Sequence, residues 1–337
     1  MSVTIRDLAK ATGLSVGTIS RALKNQGGLT ELTRTRVFEV ANQMGYELSH
    51  LKSGRIRRVA FLLHKQHNTL SSSPFYSPVL HGAESACRKE GIALSFVAVG
   101  PAEPVMEQIR LHQPDAILCA GFFEPELLHA IRASSKPIVL VDMQQEGFTS
   151  VNPDNRLGGY LATRHLIQVG RKRIAMMSGP SAHFSIQERM HGFRKALFDA
   201  KMLANPELEI TIPHQADEER SVKQAMHSLL AKSHAPDAVF CYNDNTALSA
   251  MAACLEVGLK VPHDVAFVGF DNISAAARAI PPLSSIHVDK EALGAMGIEL
   301  LLRKQNGEAL QKTLAVQLIE RESSTDDLPP LRRGAWS

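Results

Sequence analysis

The sequence has few cysteines and no long apolar run. Its 337 residues hold four cysteines, Cys87, Cys119, Cys241 and Cys254. All sit in apolar contexts and none forms a C-x-x-C pair, which excludes a disulfide framework and a zinc knuckle. No apolar stretch approaches the roughly 20 residues that a bilayer span needs. The first ten residues, M-S-V-T-I-R-D-L-A-K, are polar and charged where a signal peptide needs an apolar core. A cytoplasmic protein without membrane contact is expected. The chain also lacks G-x-G-x-x-G, a Walker lysine loop and H-E-x-x-H. His64 and His67 form an H-x-x-H with no neighbouring acid or third ligand, which is poor ground for zinc. No cofactor and no metal are expected. Gly13-Leu14-Ser15-Val16-Gly17 matches the G-x-S-x-G of a hydrolase elbow, but that turn needs a strand before it. Here a helical pattern precedes it, and Ser15 serves better as a helix cap. No nucleophile–base pair stands out elsewhere, so no enzyme is expected.

Hydrophobic residues are 44% and charged residues 21%, as in a folded globular chain. The length suits a small module plus a larger two-lobed one. The net charge of +3 is unevenly spread. Residues 1–58 carry ten Lys and Arg against four acids, a net +6, and the remainder is net −3. A basic N-terminal module on a mildly acidic body is the layout of a protein that grips phosphates at one end.

The first 46 residues predict three short helices. Thr4 caps a helix with Asp7 in its first turn and Ile5, Leu8 and Ala9 at helical spacing, and Gly13 stops it. Ser15 caps a second, Val16 to Leu23, with Ile19, Ala22 and Leu23 inward. Thr30 caps a third, Glu31 to Met44, closed by Gly45. This is a helix-turn-helix order, in which the second helix enters the major groove of DNA. T-I-R-D-L-A-K-A-T-G-L-S-V-G-T-I-S-R-A-L from Thr4, then T-R-T-R-V at 33–37 and G-Y at 45–46, resembles the headpiece of the lactose/galactose repressor family without a gap. The resemblance implies that Val16, Gly17 and Arg21 read bases, and that Thr4, Ser15, Thr18, Thr30, Thr33 and Arg34 contact phosphates. The chemistry agrees: Arg matches guanine O6 and N7, and hydroxyls near helix N-termini suit phosphate oxygens.

Residues 47–58 read as a linker. The family has a proline just after the Tyr, followed by a hinge helix whose leucine wedges into the minor groove. Here Glu47 and Leu48 follow Tyr46, and Leu51-Lys52-Ser53-Gly54-Arg55 arrives about one helical turn early. Leu51 is the wedge candidate. A plain basic linker with Lys52, Arg55, Arg57 and Arg58 near phosphates is the equal alternative.

From Val59 to about residue 325, apolar runs alternate with helical patterns. Seven buried parallel strands are expected: Val59–Leu63, Ala93–Val99, Ala116–Ala120, Ile138–Val141, Ile174–Met177, Ala238–Tyr242 and Val265–Phe270. They predict doubly wound α/β sheets in two lobes, with chain crossovers near 143–155 and 281–289. Ligands in such sheets bind beyond the strands' carboxyl ends. Pro74-Phe75-Tyr76, Asp142, Asn243-Asp244 and Asp271-Asn272 lie there, and Arg189 opens the helix 187–200. Aromatic faces, carboxylates, amides and an Arg fork suit a sugar. P-F-Y, D-N at 154–155 with A-T-R-H-L, R-M-H-G-F at 189–193, N-D at 243–244 with A-L-S-A, V-G-F-D-N at 268–272 and P-P-L-S-S at 281–285 resemble the same family's effector domain. That domain has the periplasmic sugar-binding-protein fold. The resemblance implies that Arg189, Asn243 and Asp271, with Phe75 and Asp154 more loosely, contact the effector. Helix capping by Asn243 or Asp244 and a core role for Phe75 are the bland alternatives.

The expectation is an all-α helix-turn-helix headpiece (1–46), a linker (47–58), a two-lobed effector and dimerisation domain (59–325) and a mobile tail (326–337). The tail holds Trp336 and two adjacent prolines and has no apolar heptad for a tetramerising coiled coil. Together these describe a homodimeric repressor of a carbohydrate-utilisation operon, bound to a near-palindromic operator on double-stranded DNA and controlled by a small sugar. A transport-type sugar-binding protein shares the body but not the headpiece.

Overall fold

The computed structural model describes residues 3–23, 28–46, 56–65, 74–100, 104–213, 218–303 and 308–325. The linker segment 47–55 with its wedge candidate Leu51, and the tail 326–337, lie outside the described residues. The chain divides into two compact units, Met1–Ile56 and Arg57–Ser337.

The first unit has three helices, α1 (Ile5–Thr12), α2 (Val16–Leu23) and α3 (Glu31–Gln43). Each begins where a hydroxyl takes up a backbone N–H that the first turn cannot satisfy. Thr4 and Asp7 form a reciprocal capping box on α1. Ser15 Oγ accepts from the Thr18 N–H at 3.1 Å, and Thr30 Oγ1 from that of Thr33 at 3.3 Å. Gly13 ends α1 at φ +73°, with its N–H on the carbonyl of Ala9. That left-handed conformation strains any residue with a Cβ. Leu8, Ile19, Ala22, Leu23, Val37, Ala41 and Tyr46 close the core of the unit.

The second unit is two α/β lobes. Its first lobe starts with β1 (Arg58–His64), α4 (Tyr76–Lys89), β2 (Ala93–Val99), α5 (Val105–His112), β3 (Ala116–Ala120), α6 (Pro125–Arg132), β4 (Ile138–Val141) and β5 (Thr149–Pro153). The chain then crosses and builds α7 (Asn155–Gln168), β6 (Ile174–Ser178), α8 (Phe184–Asp199), β7 (Glu209–Thr211), α9 (Glu218–Leu230), β8 (Ala238–Cys241), α10 (Asp244–Glu256), β9 (Ala266–Asp271), α11 (Ser274–Arg278) and β10 (Ser284–His287). It returns through α12 (Lys290–Leu302), packed on α4, and β11 (Gln311–Leu314), then crosses again to β12 (Gln317–Ile319). The strand orders are β11-β5-β4-β3-β1-β2 and β12-β10-β9-β8-β6-β7. Every pairing is parallel except β10 with β12. The strands β3, β4, β6, β8 and β9 are buried along their whole length, as parallel strands covered by helices on both faces must be.

Two six-stranded sheets replace the seven strands that the apolar runs predict. The five additional strands have no apolar run to announce them. The sequences of β5 and β10, T-S-V-N-P and S-S-I-H, bury polar side chains by hydrogen-bonding them. Of the other three, β11 is largely exposed and β7 and β12 are half-buried. The chain crosses between the lobes at Pro153–Asn155, at His287–Lys290 and from Leu314 to Gln317. The linker's last residue, Arg58, is already the first of β1. Asp115 Oδ2 accepts the backbone N–H groups of Arg57 and Arg58 at 2.8 and 2.9 Å.

The helices α7 and α8 pack backbone to backbone. A Cβ on Gly159 would stand 2.1 Å from the Arg189 carbonyl oxygen, and one on Gly192 would stand 2.0 Å from that of Arg156. Only glycine permits this approach, and it sets Arg189 directly against the first turns of α7.

Candidate functional site

In the headpiece, one face of α2 is exposed and the other is core. Ser15, Val16, Gly17 and Arg21 are exposed while Ile19, Ala22 and Leu23 are buried. All three expected base-reading residues therefore share the outward face. A Cβ on Gly17 would meet only Ser15 Oγ, at 3.8 Å, so the helix surface there is open to close approach. The expected phosphate contacts gather at three helix N-termini, where orphan N–H groups and the helix dipole favour anions. Ser15 pairs with Thr18 (2.9 Å, hydroxyl to hydroxyl) and Thr30 with Thr33 (2.8 Å). Thr4 Oγ1 donates to Asp7 Oδ2 at 2.7 Å, and that bond holds the Asp7 carboxyl below its usual range. Arg34 lies half-buried in the first turn of α3.

In the second unit, side chains from both lobes converge at the carboxyl ends of the strands. Arg189, 4% exposed, is the hub. Its Nε donates to Asn155 Oδ1 at 2.9 Å and its Nη1 to the Tyr242 carbonyl at 2.5 Å. Its Nη2 stands 3.6 Å from Asp271 Oδ1, and its guanidinium carbon lies 3.7 Å from the centroid of the Phe270 ring. From the first lobe, Tyr76 donates its phenol proton to Asp142 Oδ2 at 2.8 Å, and Phe75 meets Tyr76 edge to face. Lys290, at the crossover into α12, donates its ammonium to the Asp271 carbonyl and to that of Val288 (3.2 Å). It also lies 5.9 Å above the Phe75 ring. Phe122, beyond β3, stacks on His183, the cap of α8, at 4.6 Å.

The electrostatics are those of a crowded, poorly solvated site. Burial pushes the Asp271 carboxyl up to about 6. Arg189 and Lys290 oppose the rise and Asp142 adds to it. Burial likewise raises Asp142 against the pull of Arg189, and raises Asp244 to about 7 with Asp271 adding to the effect. Burial lowers Lys290. Asp142 and Asp271 both take positive φ, 58° and 98°, a region that non-glycine residues seldom occupy and that clusters at functional sites. Each keeps one buried carboxylate oxygen, Oδ1, that accepts no hydrogen bond from the described residues.

The expected effector residues divide. Arg189 and Asp271 meet, and Phe75 approaches them through Lys290. Asn243 and Asp154 are helix caps: Asn243 Oδ1 accepts from the Thr246 N–H on α10 at 2.8 Å, and Asp154 Oδ1 from that of Leu157 on α7 at 2.9 Å. Asn155, Asp142, Tyr76, Asp244 and Lys290 complete the cluster without having been assigned to it. Strand-end position and the P-F-Y and D-N motifs flag the first four. Nothing local flags Lys290, which follows a polar strand.

The pattern of the bacterial regulatory proteins of the lacI family matches residues 4–48, and that of a periplasmic binding protein-like domain matches residues 163–324. The HTH-type transcriptional repressor PurR of Aliivibrio fischeri (strain ATCC 700601 / ES114) is 32% identical over 315 residues, 89% of this chain and 91% of that protein. The chain belongs to the LacI family. It is a DNA-binding transcription repressor of that family, with a helix-turn-helix headpiece and a periplasmic-binding-protein-like body. The PurR of Aliivibrio salmonicida (strain LFI1238) is 30% identical over 313 residues, 89% of this chain and 92% of that one. Among solved structures, a complex of the transcriptional regulator CelR with cellobiose superposes with a TM-score of 0.71 at 28% identity, covering 95% of this chain and 99% of that one. A Lac repressor dimer bound to operator and the anti-inducer ONPF shares the fold, with a TM-score of 0.70 at 22% identity over 96% and 99% of the two chains. No helix among the described residues is long and apolar enough to cross a membrane.

Proposed function

We propose that this LacI-family repressor binds a near-palindromic operator as a homodimer, and that a small sugar or sugar-like effector held between the two lobes of the second unit controls its DNA affinity. It works by binding and not by catalysis, in the cytoplasm where its operator lies. The single observation that carries the effector reading is the pair of buried oxygens, Asp142 Oδ1 and Asp271 Oδ1, one from each lobe, neither of which accepts a hydrogen bond from the described residues, although Arg189 Nη2 approaches the second to 3.6 Å. A buried acceptor without a hydrogen bond costs roughly 1–3 kcal/mol, so this pair calls for donors from a ligand. A hydroxylated ring supplies O–H groups to both carboxylates, accepts from Arg189, and lays its C–H faces on Phe75 and Tyr76. The CelR–cellobiose complex, alike over 95% of this chain, supports a carbohydrate.

On the DNA side, Val16, Gly17 and Arg21 are assigned to base edges, and Thr4, Ser15, Thr18, Thr30, Thr33 and Arg34 to phosphates. One eight-residue recognition helix spans too few base pairs to select a site alone, so two-fold symmetry in the protein is matched in the DNA. A transport-type binding protein has no use for the headpiece, which disfavours that reading.

The effector reading is tested by thermal shift against D-ribose, D-galactose, maltose and cellobiose. A sugar at 100 times its Kd adds about 2.7 kcal/mol to stability. The stabilisation should vanish in Asp142→Asn and in Asp271→Asn. A sugar that stabilises both variants as it does the wild type places its site elsewhere.

A further inference from the structure

We propose that Asn155 is the positioning residue for the effector arginine: from the lobe crossover it fixes the orientation of the Arg189 guanidinium in the cleft. The functional meaning of this proposal rests on the cleft being the effector site.

Asn155 is 2% exposed and is the first residue of α7, immediately after the chain leaves the sheet of the first lobe at Pro153. Its Nδ2 donates to the Pro153 carbonyl at 3.2 Å, and its Oδ1 accepts from Arg189 Nε at 2.9 Å. These two contacts set the amide one way round. A carbonyl only accepts and a guanidinium only donates, so a flipped amide places like against like at both ends. The bond to Arg189 is charge-assisted and sheltered, and such bonds are about twice as strong as neutral ones.

Apart from the Nη1 bond to the Tyr242 carbonyl, the other contacts of Arg189 do not fix its orientation. The Phe270 ring permits the guanidinium to turn within its own plane. The 3.6 Å approach to Asp271 exceeds a hydrogen bond. Of the two hydrogen bonds that remain, to Tyr242 and to Asn155, only the second comes from the crossover. The backbone contact at Gly159 and Gly192 fixes the separation of α7 and α8, so Asn155 and Arg189 cannot drift apart and the amide behaves as a strut. Because the amide is tied at its other end to Pro153, at the last residue of β5, the plane of Arg189 follows the crossover between the lobes.

The test uses the full-length protein without ligand, so that it does not depend on any sugar binding. The Nε–H resonance of Arg189 is identified in ¹⁵N–¹H spectra by its loss in Arg189→Lys, and the Asp271 carboxyl is titrated by ¹³C NMR. The protected Nε–H signal should disappear in Asn155→Ala and in Asn155→Ser, whose hydroxyl is too short to reach. It should persist in Asn155→Asp, which still accepts from Nε. With Arg189 released, Asp271 should titrate higher in the Ala and Ser variants than in the wild type, because Arg189 is one of the groups that hold it down. A protected Arg189 signal and an unmoved Asp271 titration in both the Ala and Ser variants overturn the proposal. A cleft that binds no sugar, with these spectra behaving as stated, counts against the effector reading alone. Should the Ala variant fail to fold, the Ser and Asp pair carries the same comparison.

Discussion

Arg189 and Phe270 form a stacked pair, the guanidinium carbon 3.7 Å from the ring centroid, within the site that Asp271 closes from one side and Asp142 from the other. Lysine cannot replace arginine there: it is not planar and cannot reach Asn155 and Tyr242 at once from a face-on position. Arg189→Lys should therefore abolish the response to effector as fully as Arg189→Ala or Asp271→Ala, while effector-free operator binding stays close to wild type. Operator titrations with and without effector check this. A lysine variant that still responds reduces the role of Arg189 to charge alone.

The exposed face of α2 makes a separate prediction. Arg21→Ala should cost about 1–3 kcal/mol on the operator and relax specificity at one base pair per half-site. Equal losses on operator and random DNA reduce Arg21 to a phosphate contact. Gly17→Ala has room for its methyl group, and replacing a glycine in the first turn of α2 should stabilise the headpiece by up to roughly 0.5 kcal/mol. Thermal melting that shows Gly17→Ala less stable contradicts the open geometry.

The buried carboxylates govern stability against pH. Asp244 is pushed up to about 7 and Asp271 to about 6, against an ordinary value of 3.8. An acid whose folded pKa is raised keeps a proton that the unfolded chain has already lost. Its contribution is therefore present at low pH and is lost as pH rises from about 4 to 7. At about 1.4 kcal/mol per pKa unit, Asp244 alone removes on the order of 4 kcal/mol by pH 8. Asp244→Asn can still accept the Ile273 N–H that Asp244 accepts at 2.7 Å, and it should flatten this decline. Urea midpoints at pH 5 and pH 8 decide the point. An unchanged difference between the two midpoints shows that Asp244 is ionised without cost.

Gly159→Ala drives a methyl group to 2.1 Å from the Arg189 carbonyl, with backbone on both sides. It should destabilise the second lobe by 1–3 kcal/mol or more, as overpacking does, and should weaken effector binding by displacing Arg189. Chemical denaturation that finds the variant as stable as wild type shows that α7 and α8 separate easily.

The headpiece was legible almost residue by residue, because its signals are local: Thr4, Ser15 and Thr30 cap the helices the sequence predicts, and the predicted inward faces are the buried ones. The central strands were legible for the same reason, since a strand buried on both faces must be an apolar run. The strands β5 and β10 were not, because their stability comes from hydrogen bonds such as Ser284 to Ser324 (2.6 Å) and Ser285 to Asp244 (2.6 Å), which join residues about 40 positions apart. The site was half legible. Strand-end position identified Asp271 and flagged Asp142, and the resemblance supplied Arg189. Strand-end position cannot separate a ligand contact from a cap: Asn243, which it flagged, and Asp154, which the resemblance supplied, both cap helices. Lys290 reaches the site only because the chain recrosses between the lobes.

The central claim is that the state of the cleft sets the affinity of the headpieces for DNA. The most direct test is fluorescence anisotropy of a labelled operator, titrated with the protein in the absence and presence of the sugar that stabilises it, for wild type and Asp271→Asn. A coupling of about 1–3 kcal/mol gives a 5–150-fold change in operator affinity. The account predicts such a change for wild type and none for Asp271→Asn, with the two proteins binding alike when no sugar is present. A stabilising sugar that leaves the wild-type operator affinity unchanged, or shifts that of Asp271→Asn by the same factor, contradicts it.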